Sequence, residues 1–99
     1  MSANVNKIDY DVLDAAKTVY ANQAEALDEI INTLVNMNAE LAEGWTNNTS
    51  RAFIERFEGE HKIALEEARD AIQSISEYIV SYVTNRQDED ASSAGSISR

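Results

Sequence analysis

The residue types that carry out chemistry in proteins are scarce in this chain. It has one histidine, His61, no glycine-rich phosphate loop and no cysteine, so thiol catalysis is excluded. Candidate carboxylate metal ligands are Glu55, Glu58, Glu66, Glu67 and Asp70. A buried two-metal site in a helical bundle needs Glu-x-x-His on two facing helices, but this spacing occurs once, at Glu58 and His61. The sequence therefore predicts no metal centre, no cofactor and no enzymatic activity.

Two interpretations of His61 stay open. It falls in an apolar row of the second half of the chain, where a histidine at the edge of packed helices is the ordinary interpretation. The alternative is a pH sensor, because the ordinary pKa of histidine, about 6.5, lies in the range of an acidified compartment.

The charge of the chain excludes several kinds of partner. Eighteen Asp and Glu residues stand against eight Lys and Arg, a net charge of −10, so we expect no nucleic-acid binding. The longest apolar cluster, residues 78–83, is too short to span a bilayer, and anionic lipid headgroups would repel the chain. The first seven residues lack the apolar region of a secretory signal. We expect neither stable membrane insertion nor a cleavable signal peptide.

Apolar residues in the first half of the chain follow a helical spacing. Leu13, Tyr20, Leu27, Leu34 and Leu41 recur every seven residues, with Ala16, Gln23, Ile30 and Met37 at the intervening positions. This alternation of three and four residues predicts a helix over about 9–43, in which this row is the seam. A flanking row contains Val12, Val19, Ile31 and Val35.

The second half repeats the pattern and predicts a helix over about 49–85. Its row consists of Ile54, Phe57, His61, Ala64, Ala68, Ala71, Ile75, Tyr78 and Tyr82, and its flanking row of Phe53, Leu65, Ile72 and Ile79. Gly59 indicates a close approach or a slight bend, since glycine costs a helix up to about 1 kcal/mol relative to alanine. Residues 1–8 are expected to be a flexible N-terminus, and residues 86–99 a disordered, acidic and serine-rich tail.

Turn-forming residues over 44–48 separate the two helices. Asp9 is the expected cap of the first helix and Asn48 of the second, and Asn47 suits a left-handed backbone. The chain is therefore predicted to be all-α, an antiparallel helix-turn-helix hairpin.

The apolar stripes are wider than one hairpin can cover, so we expect two hairpins to form a four-helix bundle. The candidate residues of that interface are Leu13, Tyr20, Leu27, Ile30, Leu34, Leu41, Phe53, Phe57, Leu65, Ile72, Ile75 and Ile79.

Trp45, in the turn, has a structural and a functional interpretation. Its ring can close the end of the bundle by packing across both helices. A large aromatic at the tip of a rod is also well placed to bind another protein. The sequence favours the structural role without excluding docking.

These residues resemble the Trp-Xaa-Gly (WXG) superfamily of small Esx-type, early-secreted-antigen-like substrates of bacterial type VII secretion systems. The resemblance covers nearly the whole chain: a length near 100, no cysteine and a central Trp45. In the family the tryptophan is followed by a cap at +3, small residues, and an aromatic at +8. Here these are Asn48, then Thr49, Ser50 and Ala52, then Phe53.

Two positions depart from the family pattern. The motif glycine is replaced by Asn47. The C-terminal export signal Tyr-x-x-x-Asp/Glu of actinobacterial members would fall at Tyr82 and position 86, which is Arg86, although Asp88 and Asp90 follow. Members from low-GC Gram-positive bacteria commonly lack this signal and are commonly homodimers.

The resemblance implies secretion from the cytoplasm without a cleavable signal, as a folded dimer with itself or with a paralogous WXG protein. It further implies that Trp45 and Asn47 form, with a partner's C-terminal tail around Tyr82 and Asp88, a signal for the membrane ATPase of the secretion system. The alternative is a helical adaptor or chaperone that stays in the cytoplasm and pairs with a larger type VII substrate.

Overall fold

The predicted all-α hairpin is confirmed by a computed structural model, which describes residues 7–97 and, within them, the side chains of residues 7–89. Its elements are α1 (Tyr10–Gly44), α2 (Asn48–Arg56), a π-helical segment called here the π turn (Phe57–His61), and α3 (Lys62–Ile97). No strand occurs in these residues. The last three elements form one continuous helical arm that lies antiparallel to α1.

The hairpin is a thin rod. Its principal extents are 76 × 30 × 19 Å, and its radius of gyration is 22.2 Å, against about 13 Å for a compact domain of this length. Each side chain therefore lies within one helix diameter of the surface, and no side chain in the described range is completely buried.

The ends of the hairpin agree only partly with the predictions made from the sequence. Asp9 caps α1 as predicted, because its Oδ1 accepts hydrogen bonds from the Asp11 and Val12 amides at 3.0 and 3.2 Å. The expected flexible N-terminus falls largely on residues 1–6, outside the described range.

The C-terminal segment differs from its prediction. The sequence places the end of the second helix near residue 85, whereas α3 continues to Ile97. Extending an existing helix is cheap compared with nucleating one, the segment has no proline, and Arg86 forms an ion pair with Glu89 one turn later at 3.0 Å. Residues 98–99 of the expected disordered tail lie outside the described range.

The two apolar rows predicted for α1 do not separate into an inner row and an outer row. Ala24 and Ile31, 4% and 3% exposed, are buried against the arm together with Asn38. Each predicted row lies partly on the outside. The exposed large residues are Tyr20, Ile30, Leu34 and Met37 of the predicted seam and Val12 and Val19 of the flanking row, whereas Leu13, Leu27 and Leu41 of the seam are half-buried. A stripe wide enough for two rows offers two ways to pack, and the row that lies inside contains small and polar residues that give a weaker sequence signal.

In the helical arm, residues of the predicted row face α1 only as far as the π turn. Phe57, 7% exposed, is buried as that row requires. Beyond the π turn the residues facing α1 are half-buried or buried, and six of them are Leu65, Arg69, Ile72, Ser76, Ile79 and Val83. Three of these belong to the predicted flanking row. A shift by one position therefore occurs between Phe57 and Leu65.

Polar side chains occupy much of the contact between α1 and the helical arm, which we call the inner seam. Asn38, Ser50 and Ser76 are buried, beside only three buried apolar residues in the described range. Arg69 crosses to α1, where its Nη1 contacts Asp28 Oδ1 at 2.6 Å. Among the large apolar side chains of residues 7–89, Ile31 and Phe57 are buried, whereas twelve are exposed.

Candidate functional site

Trp45 ends α1 and forms an aromatic contact with the arm. Its amide donates to the Leu41 carbonyl at 2.8 Å, which completes the last turn of α1. Its ring lies 5.8 Å from the Phe53 ring, centroid to centroid, with 50° between the planes, a geometry that is favourable for aromatic pairs. Trp45 is half-buried and Phe53 is exposed. The indole therefore both joins the two helices and presents a surface at the tip.

The cap of the second helix is Asn47, so the prediction of Asn48 is corrected by one residue. Asn47 Oδ1 accepts from the Ser50 amide at 2.8 Å, and Ser50 Oγ accepts from the Asn47 amide at 3.0 Å. This reciprocal pair satisfies two free amides at the start of α2. Asn48 Oδ1 instead accepts from Arg51 Nη2 at 2.6 Å. Asn47 has an extended backbone, φ −151°, and not the expected left-handed one.

Shallow grooves run along both sides of Trp45. One is lined by Ala42, Asn47, Arg51 and Ile54 among others, the second by Thr49, Phe53, Arg56 and Gly59 among others. The second groove leads from the indole to the π turn. Both are open to solvent at the tip and combine apolar walls with charged rims, a composition suited to binding a peptide segment.

The two candidates for an export tail lie at the other end of the rod. Tyr82 is exposed on α3 and borders a groove with Lys7 and Ile8, next to the start of α1. Asp88 is exposed too and follows Tyr82 by less than two turns of α3. Within one chain these residues are therefore separated from Trp45 by nearly the length of α1, about 50 Å at 1.5 Å per residue.

One side of the hairpin carries a continuous apolar surface, which we call the outer face. In both α1 and α3 the outer row precedes the inner row by one residue, as Ile30 precedes Ile31 and Ile75 precedes Ser76. One residue corresponds to a rotation of about 100° around the helix axis. Because the two helices are antiparallel, this offset places both outer rows on the same side of the hairpin. The exposed large members are Val12, Val19, Tyr20, Ile30, Leu34, Met37, Phe53, Ile75, Tyr78 and Tyr82.

No charged residue interrupts the outer face in the middle of the rod. Its other positions are Ala16 and Gln23 on α1 and Ala64, Ala68 and Ala71 on α3. This stripe is uncharged although 26% of the residues of the chain are charged and its net charge is −10. Exposed apolar surfaces of this kind are typical of binding sites for proteins, membranes or ligands.

The structure distributes the twelve candidate interface residues over three environments. Tyr20, Ile30, Leu34, Phe53 and Ile75 are exposed, Ile30 to 51%. Half-buried residues between the inner seam and the surface are Leu13, Leu27, Leu41, Leu65, Ile72 and Ile79. Phe57 is buried inside the hairpin itself and is not accessible to a second chain.

Most ion pairs of the described residues join neighbours on one helix, and the pair between Arg69 and Asp28 crosses between the helices. Glu58 forms an ion pair with Lys62 at 3.5 Å, and His61 is exposed in the π turn. In the described residues no group of three or more acidic or histidine side chains is placed so that it could hold a metal ion. Hydrogen bonds to Asp28 and then to Asp70 raise the pKa of Arg69 above its already high ordinary value, so this guanidinium stays charged.

The comparison with protein families agrees with this geometry. The family described as proteins of 100 residues with WXG, WXG100, matches residues 6–91. The chain belongs to the WXG100 family. Its members are small non-enzymatic helical proteins associated with type VII secretion, and they typically pair with each other. None of the curated proteins and none of the solved structures compared with the chain matches it.

Membership agrees with two further observations on this WXG100 protein. No helix in residues 7–97 is long and apolar enough to cross a membrane. The third position of the motif, glycine in the family name, is the N-cap of α2 here. Because the backbone at this position is extended, no glycine is needed, and asparagine is a better cap than glycine.

Two features of the site were missed from the sequence. The spacing Asn47-x-x-Ser50 was available as the signal for the capping box. The π turn had a weaker signal, Gly59 within a helical pattern. No other atom lies within 4 Å of a Cβ built on Gly59, so this glycine does not serve a close approach within the chain.

Proposed function

We propose that this protein is a substrate of a bacterial type VII secretion system, exported folded as a homodimer. The observation that carries the proposal is the combination of the WXG100 match with a half-buried Trp45 that packs against Phe53 at the tip of the hairpin. The protein acts without enzymatic chemistry of its own, and its partners are a second copy and the membrane ATPase of the secretion system.

The positions of the exposed apolar residues on the hairpin support dimerisation. The inner seam includes three buried polar side chains, whereas ten large apolar side chains of the outer face are exposed. At about 25 cal/mol per Å² of apolar surface removed from water, closing two such faces on each other stabilises both chains. Two chains of charge −10 repel elsewhere, so an uncharged face is where a second copy can approach.

The export signal is proposed to join two subunits. Trp45 and Tyr82 lie at opposite ends of one rod, so an antiparallel second copy brings the Trp45 tip of one subunit beside the Tyr82 and Asp88 segment of the other. The grooves at Trp45 supply apolar walls for a peptide segment. The ATPase would then recognise a surface that only the folded dimer has.

Secretion of a Trp45→Ala variant tests this proposal in a bacterium that has a type VII secretion system. We expect export to be lost while helicity and dimer mass are largely retained. Asn36→Ala, a change at an exposed residue of α1 that lines neither groove at Trp45, is the matched control and should be exported normally. Trp45→Phe, which keeps an aromatic ring against Phe53, should retain part of the export. Unchanged secretion of Trp45→Ala would contradict the proposal.

The second candidate function is a non-secreted adaptor or chaperone for a larger type VII substrate. The outer face favours it as well, because it fits a different hairpin of the same family. Retention of the wild-type protein in cells, together with a larger helical partner that copurifies in equal amounts, would support the adaptor.

A further inference from the structure

The π turn interrupts the helical arm without breaking it. The Lys62 amide donates to the Phe57 carbonyl, five residues earlier, instead of four. The residues on both sides keep helical dihedrals, φ −66° and ψ −41° at Arg56 and φ −60° and ψ −44° at Lys62. Such a single turn contains one residue more than an α-helical turn, and segments of this kind occur frequently at functional sites.

One additional residue rotates everything after it by about 100° relative to an uninterrupted α-helix. Without it, the row through Ile54 and Phe57 would continue on the inside of the hairpin. That continuation is His61, Ala64, Ala68, Ala71, Ile75, Tyr78 and Tyr82, and all seven residues are exposed in the structure.

The contacts between the helices require the rotated register. Ser76 Oγ donates to the Lys17 carbonyl at 2.8 Å, and Arg69 Nη1 contacts Asp28 Oδ1 at 2.6 Å. Both residues directly follow members of the exposed row, Ile75 and Ala68. In an uninterrupted helix that row would take their places, and neither contact would form.

We infer that the π turn sets the register of α3 and thereby decides which of its two apolar rows faces α1. Leu65, Ile72 and Ile79 pack inside, and the row from Ala64 to Tyr82 remains outside for a second copy of the chain. The part that concerns the second copy rests on the proposed homodimer. The assignment of the inner row rests on the contacts within one chain alone.

Deleting one residue of the π turn is the sharpest test, because it restores a regular α-helix without changing the inner row. After deletion of Gly59, Leu65 follows Phe57 by seven positions and remains in phase with it. We expect this variant to keep its helicity, its melting temperature within a few degrees, and the dimer mass. Deletion of Glu60, another exposed residue of the π turn, should behave alike and repeats the test at a second position.

Deletion of Ser74 is the matched control. Ser74 is also exposed, but it lies in regular α-helix between Arg69 and Ser76. Its removal rotates the following segment and turns Glu77 and Val80 toward α1. We expect a lower melting temperature and loss of the dimer. Gly59→Ala, which keeps the chain length, measures how much of any gain comes from removing a glycine from a helix.

The outcomes separate the two proposals. Deletions in the π turn that are tolerated, with a damaging deletion of Ser74, support the register assignment. If the π-turn deletions lower the melting temperature as much as the Ser74 deletion, or if all three are tolerated, the assignment is overturned. A monomeric wild-type protein would contradict the proposed homodimer, whereas the melting temperatures would still decide the register.

Discussion

Ser76 of α3 donates a hydrogen bond to the main-chain carbonyl of Lys17 at 2.8 Å, from a side chain that is buried between the helices. A small polar residue at this position lets α3 lie close to α1. Its neighbour Ile75, large and apolar, is exposed. This arrangement, a polar residue inside beside an apolar residue outside, supports the proposal that the hairpin is one half of a dimer.

The first prediction concerns the space at Ser76. Ser76→Leu should destabilise the hairpin by about 1–3 kcal/mol, because added volume in a buried position forces the helices apart. Ser76→Ala should stay within about 1 kcal/mol, since it removes one hydrogen bond and no volume. Thermal unfolding followed by circular dichroism measures both. Ser74→Leu, at an exposed position, is the control, and an equal loss there would show that Ser76 has no special position.

A second prediction tests the crossing contact between Asp28 and Arg69. Asp28→Arg should lower the melting temperature, because it places two guanidinium groups where an ion pair forms at 2.6 Å. Adding Arg69→Asp should recover part of the loss. The recovery is partial because the new carboxylate lies beside Asp70, which Arg69 contacts at 3.0 Å.

The control for this exchange is Glu29→Arg, a charge reversal at the exposed residue next to Asp28. It should leave the melting temperature nearly unchanged. No recovery in the double variant would mean that the two side chains do not interact in solution.

The third prediction tests whether the residue at position 47 is needed as a helix cap or has to be a glycine. Asn47→Ala should cost about 0.5–2 kcal/mol, whereas Asn47→Gly, which restores the family motif, should cost only a few tenths. Asn48→Ala should cost less than Asn47→Ala, since Asn48 contacts only the exposed Arg51. Urea unfolding of the three variants measures the order. A larger loss for Asn48→Ala would reverse our correction of the cap.

The structure shows how far the sequence determines the hairpin. The periodicity predicts both helices, and the Asp9 cap and the turn at Trp45 can be located to within a residue or two. The pattern alone cannot assign the inner row of α1, because Ile30 and Ile31 belong to adjacent rows of one wide stripe. That choice depends on the partner helix.

The register of α3 could not be predicted from the sequence, for a related reason. A row of residues spaced by three and four is visible only if every turn is α-helical, and the π turn adds one residue between Phe57 and Leu65. In the sequence Gly59 indicates a close approach or a slight bend, and not a change of register. The end of α3 was misplaced because serine and acidic residues also occur in disordered segments, so composition there favours neither state strongly.

The fourth prediction addresses the outer face. Ile30→Asp should convert the dimer to a monomer, because a buried unpaired carboxylate at the interface is strongly unfavourable. Helicity should remain, since Ile30 is half exposed in the single hairpin and contributes little to its inner seam. Size-exclusion chromatography and circular dichroism measure the two properties.

Asn32→Asp, which adds the same charge at an exposed position outside the outer face, is the matched control and should remain a dimer. Dissociation of both variants would point to net charge and not to the face as the cause.

The most direct measurement of the central claim is the native mass of the wild-type protein by light scattering after size exclusion, over a dilution series at two salt concentrations. The account predicts twice the chain mass of 11.0 kDa, with a dimer that persists to lower concentration in higher salt because salt screens the repulsion between two acidic chains. A monomer at every concentration and salt level would contradict the claim that the outer face closes on a second copy.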